Sequence, residues 1–135
     1  MRKKTKITIV GSGYVGMSLS VLLAQNNDVT VLDIDIERIK KINNKESTID
    51  DTEIEDFLLN KDLDLSATTD KESAYKNASF IVVATPTNYD ENSNRFDTSS
   101  VDQVVKDATK ANQDALIIIK STIPVGHSEL LQKKL

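Results

Sequence analysis

The chain of 135 residues contains no cysteine. Within these residues, that absence excludes disulfide bonds, thiolate metal sites and a thiol nucleophile. Histidine is nearly absent too, because His127 is the only one, and no carboxylate lies at a motif spacing from it. A position on the flank of a helix explains His127 better than a role as general base does. Because carboxylate pairs and metal-ligand clusters are also missing, we expect no metal site and no complete catalytic site.

Long apolar runs and an excess of one charge are missing as well. The apolar run of residues 115–119 is far too short to span a bilayer, and no apolar segment of a signal peptide follows the basic residues 1–6. With 17 basic and 21 acidic residues, the formal net charge of −4 favours neither a nucleic-acid surface nor a membrane surface. We therefore expect a soluble, cytoplasmic protein with one domain over residues 1–135.

The sequence does contain an alternation of apolar, β-branched segments with segments of helical period. Five strands are predicted, at residues 7–10, 29–32, 63–68, 80–84 and 116–119. Helices are predicted at residues 14–25, 36–43, after a cap at Asp50 with Glu53, at 71–76, at 99–111 and from Val125 onwards, with a polar loop at 85–98. Such alternation implies parallel pairing through right-handed crossovers. The predicted fold is α/β, a Rossmann-type doubly wound parallel sheet that is truncated before its sixth strand.

The first predicted strand runs directly into a G-x-G-x-x-G sequence that opens a helix. We call these residues, 11–16, the glycine turn. Gly11 permits the tight turn, Gly13 lets the backbone approach a phosphate, and Gly16 lets the helix lie close on the sheet. The free N–H groups and the positive dipole of the helix start would then face a pyrophosphate. A glycine turn that binds no ligand is the weaker alternative.

A carboxylate at the end of the second strand favours one dinucleotide over another. Asp33 lies about 20 residues past Gly13, where it can accept hydrogen bonds from a ribose diol and would repel a 2′-phosphate, so the sequence favours NAD over NADP. Tyr14 and Val15 would place backbone N–H groups near the pyrophosphate, although Tyr14 fits a partly buried aromatic beside the turn equally well. Arg38 can reach the adenosine ribose or the pyrophosphate, but an arginine on a helix flank is more often simply solvated.

Two further segments follow strands whose carboxyl ends would meet at the ligand-binding edge of such a sheet. They are residues 84–88, Ala-Thr-Pro-Thr-Asn, and residues 120–126, Lys-Ser-Thr-Ile-Pro-Val-Gly. In both, hydroxyl groups follow a buried strand and a proline turns the chain away. Capping and turn formation explain such hydroxyls as well as ligand contacts do, so chemistry alone leaves the roles of Thr85 and Thr122 open.

The glycine turn, residues 84–90, residues 96–101 and residues 120–126 occur in the order found in bacterial UDP-glucose 6-dehydrogenases. The sequence resembles that family over essentially its whole length, and Tyr89-Asp90 favours UDP-glucose over UDP-mannosamine-type relatives. The family oxidises UDP-glucose to UDP-glucuronate with two NAD. The resemblance implies that Asp33 and Arg38 bind the adenosine side of NAD, that Thr85 and Thr122 line its ribose and nicotinamide end, and that Thr122 also lies close to the reacting centre.

The same resemblance implies that the catalytic cysteine, with the lysine and asparagine beside it, belongs downstream of Leu135. The chain is then an NAD-binding fragment that does not catalyse, whose homodimeric parent binds UDP-glucose through central and C-terminal domains. Thr48 stands where the family often has proline, and His127 where it often has an aromatic residue; we expect both outside the cofactor contacts. The alternative is a free-standing or channel-associated NAD-sensing domain, which has no need of the segments around Thr85 and Thr122.

Overall fold

The computed structural model describes residues 5–85, 88–90, 95–97 and 99–120. Strands and helices alternate along this part of the chain. They are β1 (Lys6–Val10), α1 (Tyr14–Leu23), β2 (Asp28–Leu32), α2 (Ile36–Asn43), α3 (Thr52–Asn60), β3 (Leu65–Thr68), α4 (Lys71–Lys76), β4 (Phe80–Val83), β5 (Asn88–Asp90), β6 (Arg95–Asp97), α5 (Ser99–Ala111) and β7 (Leu116–Ile119). Five of the strands form one parallel sheet in the order β3-β2-β1-β4-β7, whereas β5 and β6 pair antiparallel by themselves.

The register of the sheet aligns the carboxyl ends of its strands. Val10 at the end of β1 pairs with Leu32 of β2 on one side and with Val83 of β4 on the other. Leu32 in turn pairs with Thr68 of β3, and Val83 with Ile119 of β7. Because the chain winds outwards in opposite directions from β1, a crevice is expected at this edge between the segments that leave β1 and β4.

Apolar side chains cover both faces of the sheet, as the continuous apolar runs of its central strands require. On one face, strand residues such as Ile9 and Val31 pack with Met17 of α1, Ile42 of α2 and Ile54 of α3. On the other face, α4 and α5 pack over β2, β4 and each other, and the buried residues there include Val10, Leu32, Tyr75, Ile81, Val101 and Ala108. Helices on both faces make this the doubly wound α/β fold that the sequence predicts.

Several boundaries differ from the predicted ones. The first helix ends at Leu23 rather than at residue 25, and β3 begins at Leu65 rather than at residue 63. The cap of α3 is Asp51 rather than Asp50, because the Asp51 carboxylate accepts hydrogen bonds from the backbone N–H groups of the first helical turn. The predicted loop of residues 85–98 contains the β5–β6 pair.

Some sequence predictions fall outside the described residues. They concern Thr122, His127 and the helix predicted from Val125. Among the helices that are described, none is both long enough and apolar enough to cross a membrane.

Candidate functional site

The glycine turn lies at the carboxyl edge of the sheet and is held tightly on three sides. Gly11 has a φ of +103°, a conformation that favours glycine, and its N–H donates to the carbonyl of Leu32 at 2.8 Å. A Cβ at Gly11 would lie 2.8 Å from the carbonyl oxygen of Ala84, and one at Gly16 only 2.0 Å from the carbonyl oxygen of Gly11. The turn thus packs against β2, against the segment after β4 and against its own helix without space for side chains.

Gly13 has the opposite environment. A Cβ built on Gly13 would meet no atom within 4 Å, so this part of the backbone faces open space. Gly13 is the N-cap of α1, and no described side chain caps the helix or adds an acidic group to its first turn. The backbone bonds of α1 begin with the N–H of Met17, which donates to the carbonyl of Gly13 at 2.9 Å. The N–H groups of the preceding helical residues, with the positive end of the helix dipole, therefore suit an anion.

Tyr14 and Val15 supply two of those N–H groups. The two residues are 65% and 45% exposed, so most of the surface of Tyr14 faces solvent. Tyr14 and Val15 lie in the first turn of α1, where backbone N–H groups have no acceptor within the helix.

Asp33 follows β2 directly and is tied to the glycine turn. Its Oδ2 accepts two hydrogen bonds from Ser12, one from the backbone N–H at 3.0 Å and one from the hydroxyl at 2.6 Å. Its Oδ1 accepts a hydrogen bond from the backbone N–H of Asp35 at 3.0 Å. A carboxylate with these fixed partners retains lone pairs for further donors, as a ribose diol requires.

Two residues of this arrangement were not predicted as part of the site. Ser12 occupies a variable position of the glycine motif, yet its side chain is the principal partner of Asp33. Thr48 donates its hydroxyl to the carbonyl of Ser12 at 2.5 Å. The expectation that Thr48 lies outside the cofactor contacts stays a prediction, although its side chain touches the glycine turn. No local sequence signal pointed to this contact, which joins residues 36 positions apart.

A cavity of about 570 Å³ opens at this edge, within the size range of small-molecule sites. Four of the predicted site residues line it together, namely Gly11, Asp33, Arg38 and Thr85. The other predicted members of the glycine turn, Gly13, Tyr14, Val15 and Gly16, do not line this cavity and lie at the adjoining helix start.

Arg38 projects from α2 beside this cavity. Its Nε lies 3.7 Å from Asp35 Oδ2, and both side chains are more than 40% exposed, at 43% and 50%. Such an exposed pair contributes little to stability. The guanidinium can therefore turn towards a phosphate or a ribose at little cost.

α4 and α5 contribute polar side chains to the lining of the cavity, from Lys71, Tyr75, Gln103 and Asp107. Asp107 accepts hydrogen bonds from Lys71 at 3.1 Å and from Gln103 at 3.0 Å. Burial, and secondarily the charge of Asp107, raise the pKa of Tyr75 to about 12, so its hydroxyl is protonated at neutral pH. These groups add donors and acceptors to a cavity that Asp33 also lines.

The donor set and the space fit a dinucleotide. Open backbone at Gly13 next to an uncapped helix start accommodates a pyrophosphate. The Asp33 carboxylate lies one hydrogen bond away from that turn, where an adenosine ribose would follow.

Comparison with known proteins agrees with this geometry. A family model described as the UDP-glucose/GDP-mannose dehydrogenase family, NAD binding domain, matches residues 5–135. The chain is 46% identical over 129 residues to a UDP-glucose 6-dehydrogenase of Streptococcus pneumoniae, covering 96% of this chain and 33% of that relative. It is also 46% identical over 131 residues to a UDP-glucose 6-dehydrogenase of Campylobacter jejuni, again covering 96% and 33%.

A solved structure shares the fold. The UDP-D-ManNAc dehydrogenase of Pyrococcus horikoshii superposes with a TM-score of 0.84 at 28% identity, over 96% of this chain and 31% of that one. The chain thus spans about a third of the length of the relatives it matches. The predictions of a Rossmann-type fold, of NAD as the cofactor and of this dehydrogenase family are confirmed. The chain belongs to the UDP-glucose/GDP-mannose dehydrogenase family and carries its NAD-binding domain.

Proposed function

We propose that the glycine turn binds the pyrophosphate of NAD and that Asp33 binds the adenosine ribose. The observation that carries this proposal is the pair of hydrogen bonds between Ser12 and Asp33, because it joins the anion-binding helix start to a ribose-binding carboxylate. Ile34, next to Asp33, is 98% exposed and supplies an apolar surface for the adenine ring. Arg38 approaches the phosphate or ribose from α2, and Thr85 and Thr122 contribute to the nicotinamide end.

When bound, NAD would supply hydride-transfer chemistry, and the residues of this chain would hold it in place. The backbone N–H groups of Tyr14 and Val15 neutralise part of the pyrophosphate charge. The Asp33 carboxylate accepts a hydrogen bond from the ribose 2′-hydroxyl and disfavours a 2′-phosphate by charge repulsion. The domain should therefore prefer NAD to NADP.

Calorimetric titration of the 135-residue chain with NAD and NADP tests the ribose assignment. The chain should bind NAD more tightly, and Asp33→Asn should weaken NAD binding by about tenfold or more, because a hydrogen bond to a charged group contributes about 1.5–3 kcal/mol. Asp114→Asn is the matched control, since it removes an exposed carboxylate beyond α5. Equal or tighter binding of NADP by the unsubstituted chain would overturn the role of Asp33.

For the whole protein, we propose oxidation of UDP-glucose to UDP-glucuronate with two NAD. The proposal is supported by two relatives at 46% identity that carry the name UDP-glucose 6-dehydrogenase. Residues 1–135 are then the NAD-binding domain of a homodimeric parent, and Thr122 helps to orient water or the sugar oxygen. The resemblance implies that a cysteine holds the aldehyde stage of the reaction as a thiohemiacetal, and these residues contain no cysteine. The chain by itself should therefore form no UDP-glucuronate from UDP-glucose.

Assay of the full-length parent distinguishes the sugar substrates. NADH formation with UDP-glucose, and much less with UDP-N-acetylmannosamine, is the expected result. A preference for the mannosamine sugar would overturn the assignment of the substrate while leaving the NAD site intact.

A further inference from the structure

Ser12 is buried in the wall of the cofactor cavity and makes an unusual pair of hydrogen bonds. Its residue is only 1% exposed, and both its N–H and its hydroxyl donate to the same oxygen of Asp33, at 3.0 and 2.6 Å. Two donors from one residue fix the rotation of the carboxylate about its own axis. The second oxygen, Oδ1, then keeps a defined direction, with the backbone N–H of Asp35 as its described partner.

Thr48 holds the neighbouring peptide, the one between Ser12 and Gly13. Its hydroxyl donates to the Ser12 carbonyl at 2.5 Å across a separation of 36 residues. Thr48 lies in the segment between α2 and α3, which is itself braced. The Ser47 hydroxyl donates to the carbonyl of Ile49 at 2.7 Å, and Ile49 packs against the main apolar cluster. The position of the Ser12 peptide is thereby linked to the core.

We propose that Ser12 and Thr48 are positioning residues that orient the Asp33 carboxylate towards the adenosine ribose. Thr48 fixes the Ser12–Gly13 peptide and with it the backbone of Ser12, Ser12 fixes Oδ2 of Asp33, and Oδ1 is presented to the 2′-hydroxyl of the ligand. Because the carboxylate is already oriented before the ligand arrives, less conformational freedom is lost on binding. This inference rests on the proposed binding of the ribose by Asp33 and adds two residues on which selection of a hydroxylated ribose depends.

ADP and 2′-deoxy-ADP separate this role from a general structural one, because they differ only in the 2′-hydroxyl. Their affinities for the 135-residue chain are measured by NMR titration. The unsubstituted chain should prefer ADP by about tenfold or more, the factor expected for one hydrogen bond to a charged group. Ser12→Ala should reduce this preference to about threefold or less, while the affinity for 2′-deoxy-ADP stays within about twofold.

Variants of Thr48 keep the inference testable if Ser12→Ala does not fold. Thr48→Val, which removes the hydroxyl, should lower the preference in the same direction, and Thr48→Ser, which retains it, should restore the preference. Ser20→Ala is the matched serine control, since the buried Ser20 hydroxyl donates at 2.6 Å within α1, to Gly16. Thr109→Val is the matched threonine control, because Thr109 Oγ1 is buried and has no hydrogen-bond partner among the described residues.

The outcomes separate this inference from the proposed function. If the unsubstituted chain binds neither NAD nor ADP, the proposed function fails. If it binds both and prefers ADP, but Ser12→Ala changes nothing or weakens ADP and 2′-deoxy-ADP equally, the positioning role is wrong. If Ser12→Ala lowers the preference and Thr48→Val does not, the assignment of Thr48 is wrong.

Discussion

Substitution of two glycines in the same turn should separate cofactor binding from folding. In Gly13→Ala the new methyl group meets no atom within 4 Å other than those of its immediate neighbours in the chain. The φ at this position is −78°, which alanine adopts readily. Alanine is a poorer N-cap than glycine by a few tenths of a kcal/mol or more. Alanine also has less conformational freedom than glycine in the unfolded chain, which stabilises the folded state by about 0.4–1 kcal/mol. The free energy of unfolding should therefore change by no more than about 0.5 kcal/mol, while the methyl group occupies the approach of the pyrophosphate.

Gly16→Ala should have the opposite effect. The new Cβ would lie 2.0 Å from the carbonyl oxygen of Gly11 and 3.0 Å from its carbonyl carbon, so α1 and the glycine turn must move apart. Overpacking of this kind typically costs about 1–3 kcal/mol and occasionally more. Here the clash is with backbone, which relaxes less than a side chain. We therefore expect a cost at the upper end of this range. The gain of about 1 kcal/mol in helix propensity offsets part of it, which leaves a net loss of about 2 kcal/mol.

Urea unfolding followed by circular dichroism measures the free energy of unfolding of each variant. Thermal unfolding with and without NAD measures the binding of the cofactor. At a hundredfold excess over Kd, NAD should stabilise the unsubstituted domain by about 2.7 kcal/mol, a Tm increase of about 10 °C for a domain of this size. Gly13→Ala should lose that increase and keep its stability. An equal loss of stability in both variants, or a normal NAD response in Gly13→Ala, would refute the reasoning.

Two further predictions concern the packing of α4 against α5. Burial and the charge of Asp107 raise the pKa of Tyr75 to about 12 from 10.0, so the neutral phenol stabilises the fold below pH 10 and that contribution is lost as the pH rises from 10 to 12. Tyr75→Phe should flatten this alkaline loss in urea unfolding, and identical pH profiles would contradict it. Asn112→Ala should cost about 1–3 kcal/mol, because Asn112 Nδ2 donates to the carbonyls of Tyr75 and Ala78 at 2.8 and 2.9 Å. A loss below about 0.5 kcal/mol, measured in the same way, would show that these carbonyls find other partners.

The arrangement of strands could be predicted because its signals are local and redundant. Strands such as β4, Phe-Ile-Val-Val, are buried on both faces and therefore consist of continuous apolar residues. The glycine turn identifies the end of β1 by its own conformational demands, of which the positive φ of Gly11 is one. Since parallel strands end at one edge, the meeting of Gly11, Asp33 and Thr85 followed from strand order.

Boundaries were harder to predict where neighbouring residues can serve the same purpose. Asp50 and Asp51 are both capable N-caps, and only the backbone conformation of residue 51 decides between them. The strands β5 and β6 are three residues each, too short for an alternating pattern to distinguish them from a polar loop.

The Ser12–Thr48 contact was beyond sequence reasoning for a different reason. A glycine motif specifies where a side chain must be absent, and it leaves the side chain at position 12 undetermined. The partner of a hydroxyl group is set by tertiary packing, and here the packed segment is 36 residues away in the chain. A local pattern carries no information about such a pairing.

The local glycine motif and the tertiary contact between Ser12 and Thr48 correspond to two kinds of recognition in the proposed site. The pyrophosphate would be held by backbone N–H groups at the start of α1, whose positions depend on the glycines and on the register of β1 with β2. Backbone groups distinguish phosphate from other groups, but they do not distinguish NAD from NADP. Discrimination at the ribose would instead come from the side chain of Asp33, as oriented by Ser12 and Thr48. A motif that fixes backbone geometry therefore predicts that a dinucleotide binds, whereas the identity of that dinucleotide depends on side chains from separate segments that packing brings together.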